Sequence, residues 1–408
     1  MKKLFFTSLL ALLALAVHAE DRLETHFEGK RTIVLRNGRE LDFKTCLAEE
    51  LRAHPEMGDD DVLERCFQAA YGGGYITGLS NSPEKRFRFE YDSARICGEL
   101  LFEVVSPDFM RVNLGAWKER KLPPEWLFEM FSASAVRFDD GDAFLARYLE
   151  DAERTLEGEM RERFRQRKKF VKGKGQVIMK DALRVGLPLS YYRLVSTRFL
   201  HALPVLMRAS ALPDNGRVRI IAIDGRAASG KTTLARQLAR VLGAEVIHMD
   251  DFFLPVELRT DERYREPGGN VHYERFAEEV LPFLRDPRGF SYRAFDCSTM
   301  KYGKAVEVKP SAWRIVEGAY SLHPKFGDYA DLKVFYDIAP EEQMRRITLR
   351  NGEARAQVFR RRWIPLEESY IRSFDIPRRA DLILGGRIRR SHTNGEGSSS
   401  PRAISACP

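Results

Sequence analysis

The residues Gly225-Arg226-Ala227-Ala228-Ser229-Gly230-Lys231-Thr232 fit G-x-x-x-x-G-K-[ST], a pattern in which each part has a use at a chain of phosphates. Backbone N–H groups of such a loop, with the start of the following helix, form an anion-binding nest. Gly225 and Gly230 permit torsions and close approach that a side chain would block. Lys231 supplies a point charge to the outer phosphates and Thr232 a hydroxyl for Mg²⁺. Ala228, Ser229 and Thr233 complete the set expected along a triphosphate. Asp250 closes the run Val246-Ile247-His248-Met249, where a carboxylate can accept a proton from an attacking hydroxyl or help organise Mg²⁺. A helix cap is the other use open to it. Glu317 closes Ile315-Val316 and is expected behind Mg²⁺, with Gly318 turning the chain beside it. Arg346 and Arg350 are i, i+4 neighbours in an arginine-rich stretch that also holds Arg345, Arg355, Arg360, Arg361 and Arg362. They suit neutralisation of charge that develops during phosphoryl transfer. Tyr273, Tyr292 and Asp296 fall where a phosphoryl acceptor would be held, with stacking faces and a hydroxyl acceptor for a sugar or nucleoside. His248 reads as a packed strand residue rather than a catalyst.

These groups need elements to hold them. Val218 to Ile223 is an apolar, partly β-branched run, and Leu234 to Leu242 repeats at helical spacing up to Gly243, a natural C-cap. Strand, glycine-bounded loop and helix are the context the pattern requires. Further apolar runs at Glu245–Met249, Trp313–Val316, Leu332–Tyr336 and Leu382–Leu384 alternate with helical patterns. They predict an α/β domain over residues 217–385, a P-loop NTPase with a parallel five-stranded sheet and helices on both faces. Strand carboxyl ends face the ligand crevice in such sheets, which carries Asp250 and Glu317 toward the phosphates.

The preceding residues 20–207 read as a mainly α domain of unassigned role. A short hairpin at 31–43 turns at Asn37-Gly38 in the type I′ manner. Helical patterns cover Cys46–His54, Asp60–Tyr71, the stretch after Pro123-Pro124, Asp142–Arg167 and Ser190–Met207. Residues 208–216, with Pro213 and Gly216, read as a linker, and 386–408 as a polar, aperiodic tail. Arg161 to Lys174 carries eight basic residues against one acid, so it is either a solvated helix end or a patch for a polyanion. No aromatic platform accompanies it, and nucleic acid is not expected as a partner.

At 408 residues, with 44% hydrophobic and 31% charged residues and a net charge of +8, the chain has an ordinary globular composition. Its five cysteines show no metal-ligand spacing, which favours reduced thiols and leaves a Cys46–Cys66 bridge open. Met1-Lys2-Lys3 precedes an uncharged run of 14 residues and His18-Ala19, the pattern of a secretory signal over residues 1–19. That conflicts with a need for ATP and Mg²⁺, for which the cytoplasm is the expected compartment; a membrane is a partner only if this segment is retained. A homo-oligomer is left open.

GRAASGKTT (225–233), HMDDFF (248–253), YRAFD (292–296), IVEGAYS (315–321) and the arginine-rich stretch 345–362 together resemble the uridine kinase, phosphoribulokinase and pantothenate kinase family of P-loop kinases. The resemblance covers nearly all of residues 216–384. It implies a general base at Asp250, acceptor binding at Tyr292 and Asp296, an acidic strand end at Glu317 and lid arginines at Arg346 and Arg350. The acceptor stretch EPGGNVHYERF departs from an authentic uridine kinase. The expected activity is transfer of the γ-phosphate of ATP, with Mg²⁺, to a hydroxyl of a small acceptor, a nucleoside first. A pantothenate- or sugar-type acceptor, or a non-catalytic nucleotide-sensing module, are the alternatives. No NKxD guanine-reading motif is present, which weighs against a GTPase-like switch.

Overall fold

The computed structural model describes residues 23–28, 31–73, 83–96, 100–134, 141–171, 173–175 and 191–385. The signal-like segment 1–19 and the tail 386–408 lie outside them. In chain order the strands are β1 (Leu23–Glu28), β2 (Arg31–Arg36), β3 (Arg39–Glu40), β4 (Phe102–Val104), β5 (Phe109–Asn113), β6 (Tyr192–Ser196), β7 (Arg219–Gly225), β8 (Glu245–His248), β9 (Phe290–Asp296), β10 (Lys301–Val308), β11 (Trp313–Glu317), β12 (Leu332–Tyr336) and β13 (Leu382–Leu384).

The central sheet is wholly parallel, in the order β13-β12-β7-β11-β8. β7 is central, and the strand order reverses there. The crevice of such a sheet opens at that point, outside the carboxyl ends of the strands. Both faces are covered, which is why β7 reads as a continuous apolar run and not an alternating one. Its side chains alternate nevertheless. Ile221 and Ile223 enter one core with Trp313, Ile315, Leu332 and Val334. Ile220 and Ala222 enter the other with Val316 and Phe335. The second core is closed by helices Tyr273–Glu279 and Ile364–Ser373 through Phe276, Tyr370 and Ile371.

The first core extends into the N-terminal region. Helix Lys231–Leu242 gives it Leu234, Ala235 and Leu238, and helices Pro124–Ser134 and Ala202–Ser210 pack against that helix with Leu127, Met130, Leu203 and Leu206. Trp126 meets Trp313 edge-on, with ring centroids 6.2 Å apart. The last turn of helix Ala202–Ser210 takes up the start of the stretch expected as a linker.

The N-terminal region is α-rich but carries two small antiparallel sheets, β1-β2-β3 and β4-β5-β6. Asn37 and Gly38 both have positive φ, as the type I′ turn between β2 and β3 requires. The helical pattern expected over Ser190–Met207 is corrected here, since Tyr192–Ser196 is strand β6 and the helix begins at Ala202. Arg193 explains the misreading. It is buried, ion-paired to Glu90 and sandwiched by the rings of Phe87 and Phe131, so an inward position carries a charged residue and hides the two-residue period.

Arg161 to Val171 of the basic run lie on helix Gly158–Val171. Arg163 and Arg167 pair with Asp59, Arg167 also with Asp60, Arg165 with Glu153 and Glu162, and Lys168 with Glu150 and Glu153. Much of its charge is met within the protein, which supports a solvated face over a polyanion patch. Cys46 and Cys66 are buried free thiols.

A core shared across the sheet face should unfold as one. Trp126→Ala is expected to destabilise by about 3 kcal/mol. In denaturant titrations read by near- and far-UV dichroism, one shared transition should shift; two separate transitions would contradict the shared core.

Candidate active site

The loop leaves β7 at Gly225, whose φ of +143° and position leave no room for a side chain: a Cβ there would stand 2.1 Å from the Tyr336 carbonyl oxygen. β7 and β12 therefore touch through backbone at the root of the loop. Gly230 caps helix Lys231–Leu242 with φ +114°. The Lys231 ammonium donates to the carbonyls of Gly225 (2.7 Å) and Arg226 (2.8 Å), so it lies across the loop it belongs to.

Beside the loop, the Thr232 hydroxyl donates to Glu317 Oε2 at 3.3 Å, and Glu317 Oε1 lies 2.6 Å from His248 Nδ1. The bond to Glu317 favours the imidazolium and lifts the His248 pKa above the ordinary histidine value. Thr232 and Glu317 put hard oxygen donors side by side, a donor set that fits Mg²⁺ held partly by phosphate oxygens and water. Among the described residues no cluster of three or more His, Cys, Asp or Glu side chains could cage a metal unaided.

Asp250 is the second residue of the turn Met249–Phe252 after β8 and lines the same cleft, whose volume is about 1190 Å³. Its surface is open to solvent on the cleft side, while protein crowds it behind. That desolvation raises its pKa; Lys231 opposes the rise, and the negative Glu317 adds to it. Arg346 reaches over the loop from helix Pro340–Asn351. It donates to the carbonyls of Ala228 (3.3 Å) and Ser229 (3.2 Å), and its Nε to Glu342 (2.6 Å). Arg350 sits exposed on the cleft wall and donates to Asn351.

The cleft thus brings together Ala228, Gly230, Lys231, Thr232, Thr233, Asp250, Glu317, Arg346 and Arg350. Gly225 lies beneath the loop, and Ser229 is buried in it. The three residues expected at the acceptor are not on the cleft wall. Tyr292 is buried in β9, where its hydroxyl donates to Asp251 at 2.7 Å. Asp296 caps the tip of the β9–β10 ribbon, accepting from the Ser298 N–H (2.7 Å) and hydroxyl (2.6 Å) and from the Thr299 hydroxyl. Tyr273 stacks on His323 and donates to Glu266 at 2.9 Å. In each case a local partner takes the polar group.

Three unanticipated acids or amides hold the site. Asp224 is fully buried and accepts from the N–H groups of Gly225 (2.6 Å), Tyr320 (3.1 Å) and Leu322 (2.9 Å) and from the Tyr370 hydroxyl (2.7 Å). Glu367 is buried at the cleft wall and accepts from Ala227 N–H with both oxygens at 2.9 Å. Asn270, also buried at the cleft wall, hydrogen-bonds Tyr320 while its Oδ1 has no partner. Arg226 adds ion pairs to Asp337 and Glu368. Asp224 stands directly before the loop glycine and Asn270 falls within the acceptor stretch EPGGNVHYERF, which were hints; Glu367, next to Glu368, carries no spacing signal.

The parallel sheet, the loop at its switch point and the helix that follows define an α/β P-loop NTPase fold. No family model matches the chain. Among characterised proteins it is similar to the cytidylate kinases of Pyrobaculum arsenaticum (26% identity over 144 residues, 35% of this chain) and Pyrobaculum aerophilum (27% over 138 residues, 33% of this chain). The alignments span 65% and 62% of those enzymes. Among solved structures it is similar to a possible uridine kinase from Bacillus stearothermophilus, with TM-score 0.35, 22% identity, and coverage of 46% of this chain and 95% of that one. It is also similar to a candidate fructose transport system kinase from a Silicibacter species, with TM-score 0.38, 22% identity, and coverage of 45% and 98%. Among the described residues, no helix is long and apolar enough to cross a membrane.

Glu367 gives the site a pH signature. Burial, the largest cause, pushes its carboxyl up to about 7, against the pull of Lys231 and the Ala227 N–H. A carboxyl protonated more readily in the folded chain contributes stability at low pH that is lost as pH rises through about 7. Glu367→Gln should flatten the fall in urea-unfolding free energy between pH 5 and 8, a difference of at most about 3 kcal/mol. An unchanged pH profile would contradict this role.

Proposed function

We propose that the chain is an ATP-dependent kinase that phosphorylates a hydroxyl of a small molecule. The observation that carries this reading is one cleft where the phosphate loop, a strand-end carboxylate (Asp250), an acid beside the loop threonine (Glu317) and an arginine reaching over the loop (Arg346) converge. The kinase names borne by the similar proteins agree with it.

The loop N–H groups and Lys231 would hold the phosphates of ATP. Mg²⁺, held by Thr232 with support from Glu317, would neutralise charge shared by the outer phosphates. Asp250 orients the acceptor hydroxyl and takes its proton as the oxygen forms its bond to the γ-phosphorus, the bond to the β-phosphate oxygen breaks, and ADP leaves. The raised pKa of Asp250 makes it a stronger base than an ordinary carboxylate. Arg346 and Arg350, which line the cleft, would meet charge on the transferring group. A nucleoside is the acceptor suggested by the sequence resemblance.

The test is ATP consumption by the purified chain against panels of nucleosides, vitamins and sugars. Asp250→Asn is expected to lower kcat about 10²- to 10⁴-fold with ATP affinity kept, whereas Lys231→Ala should weaken ATP binding itself. Near-full turnover in Asp250→Asn would remove the base assignment. ATP binding with no acceptor-dependent turnover, unaffected by that variant, would favour a nucleotide-sensing module.

A further inference from the structure

The N-terminal region reaches the phosphate loop from behind, through an edge strand and one imidazole. β1 pairs on one side only, with β2, so its outer edge keeps N–H groups to give elsewhere. The Thr25 N–H donates to His201 Nε2 at 3.2 Å, and His201 Nδ1 lies 2.7 Å from the Tyr336 hydroxyl oxygen. A backbone N–H can only donate, so Nε2 is the acceptor and the neutral ring carries its proton on Nδ1, toward Tyr336. His201 thus joins β1 to β12 with both nitrogens. Its ring also stacks on that of Tyr336, with centroids 5.3 Å apart. An apolar side chain could fill this place; the imidazole adds a directional link.

Tyr336 in turn touches both glycines that bound the loop. Its carbonyl backs Gly225, and its ring carbon Cε1 stands 3.3 Å from where a Gly230 Cβ would be. Gly230 caps helix Lys231–Leu242, and the first N–H groups of a helix in this position face the phosphates. β1 closes over the contact. Thr25 is only 4% exposed, and the gap left among Thr25, His201, Gly230, Thr233 and Tyr336 is about 20 Å³, room for one water. Arg346 lines that gap as well as the cleft in front of the loop. The hairpin is anchored beside it: Leu23 packs on the core that contains Val34 and Leu234, and Arg198 donates to the Thr32 hydroxyl of β2 at 3.4 Å.

We propose that β1 and His201 are positioning elements of the nucleotide site: seated β1 holds Tyr336 against Gly230 through His201, and release of β1 lowers the affinity for ATP. The proposal rests on the phosphate-binding reading of the loop and is independent of the acceptor. It gives the N-terminal region a role in nucleotide binding without any group of its own touching ATP.

Such a coupling is reciprocal: if seated β1 favours ATP, bound ATP must hold β1 down by the same factor. Hydrogen–deuterium exchange of the full chain, read by mass spectrometry at the peptide spanning residues 23–28, measures this. Saturating ATP with Mg²⁺ should slow exchange there at least about fivefold. The peptide of β5, in the other small sheet, should change less. His201→Phe keeps a ring to stack and loses both hydrogen bonds. It should exchange faster at β1 without ATP and bind ATP with a Kd raised at least about fivefold. Tyr336→Phe removes only the hydroxyl and should shift both readouts in the same direction. A β1 peptide that ATP does not slow, equal slowing at β5, or wild-type ATP affinity in His201→Phe overturns the proposal. If a variant fails to fold, the wild-type exchange decides alone. ATP binding with an unresponsive β1 rejects only the positioning role, whereas absence of ATP binding by the wild type rejects the kinase reading.

Discussion

The carboxylate of Asp224 is the point on which the site depends. It lies at the end of the central strand, shut off from solvent, and burial raises its pKa while its hydrogen bonds oppose that rise. Four donors converge on it from three pieces of chain: the loop glycine, the turn after Glu317-Gly318, and helix Ile364–Ser373 through Tyr370. A buried acid is tolerable only when its oxygens are occupied, so these pieces are held to one geometry. The turn carries Tyr320 at φ +75°, a torsion uncommon for a bulky residue, and the bond from its N–H to Asp224 helps hold it there.

From that anchor the rest of the cleft is positioned in succession. Helix Ile364–Ser373, fixed by Tyr370, presents Glu367 to the loop N–H of Ala227 and Glu368 to Arg226. The turn after β11 passes under Met249, where Gly318, with φ +134°, leaves a Cβ only 2.8 Å from the Met249 Cβ. That closeness brings the Asp250 turn beside Glu317. The opposite face of the sheet is stiffened by the N-terminal helices, which bury Leu234 and Leu238 of the helix that starts at Lys231.

The central fold was legible because its signals are local. Ile220 to Ile223 form an unbroken apolar run since both faces of β7 are buried, and Gly225, Gly230 and Gly243 stand where positive φ is required. Strand ends made Asp250 and Glu317 readable, because in a parallel sheet position along a strand implies position at the crevice. What sequence could not show is which way a polar side chain faces when its partner is remote. Glu367 meets a residue 140 positions away and Asp224 one 146 away. Tyr292 and Asp296 lie four residues apart on one strand, yet Asp251 takes the hydroxyl of the first and the turn at Ser298 the carboxylate of the second. Arg193 hid a strand for the same reason, since its acid, Glu90, is 103 residues distant.

Arg226, clasped between Asp337 and Glu368, and Ala227, bound by Glu367, fix the front of the phosphate loop. A loop tied at those points loses its conformational freedom during folding and not at the moment an anion arrives. Little ordering entropy then remains to be lost on binding. The encounter rate is governed by diffusion and by the field of the surrounding arginines, and is not slowed by a wait for the loop to form.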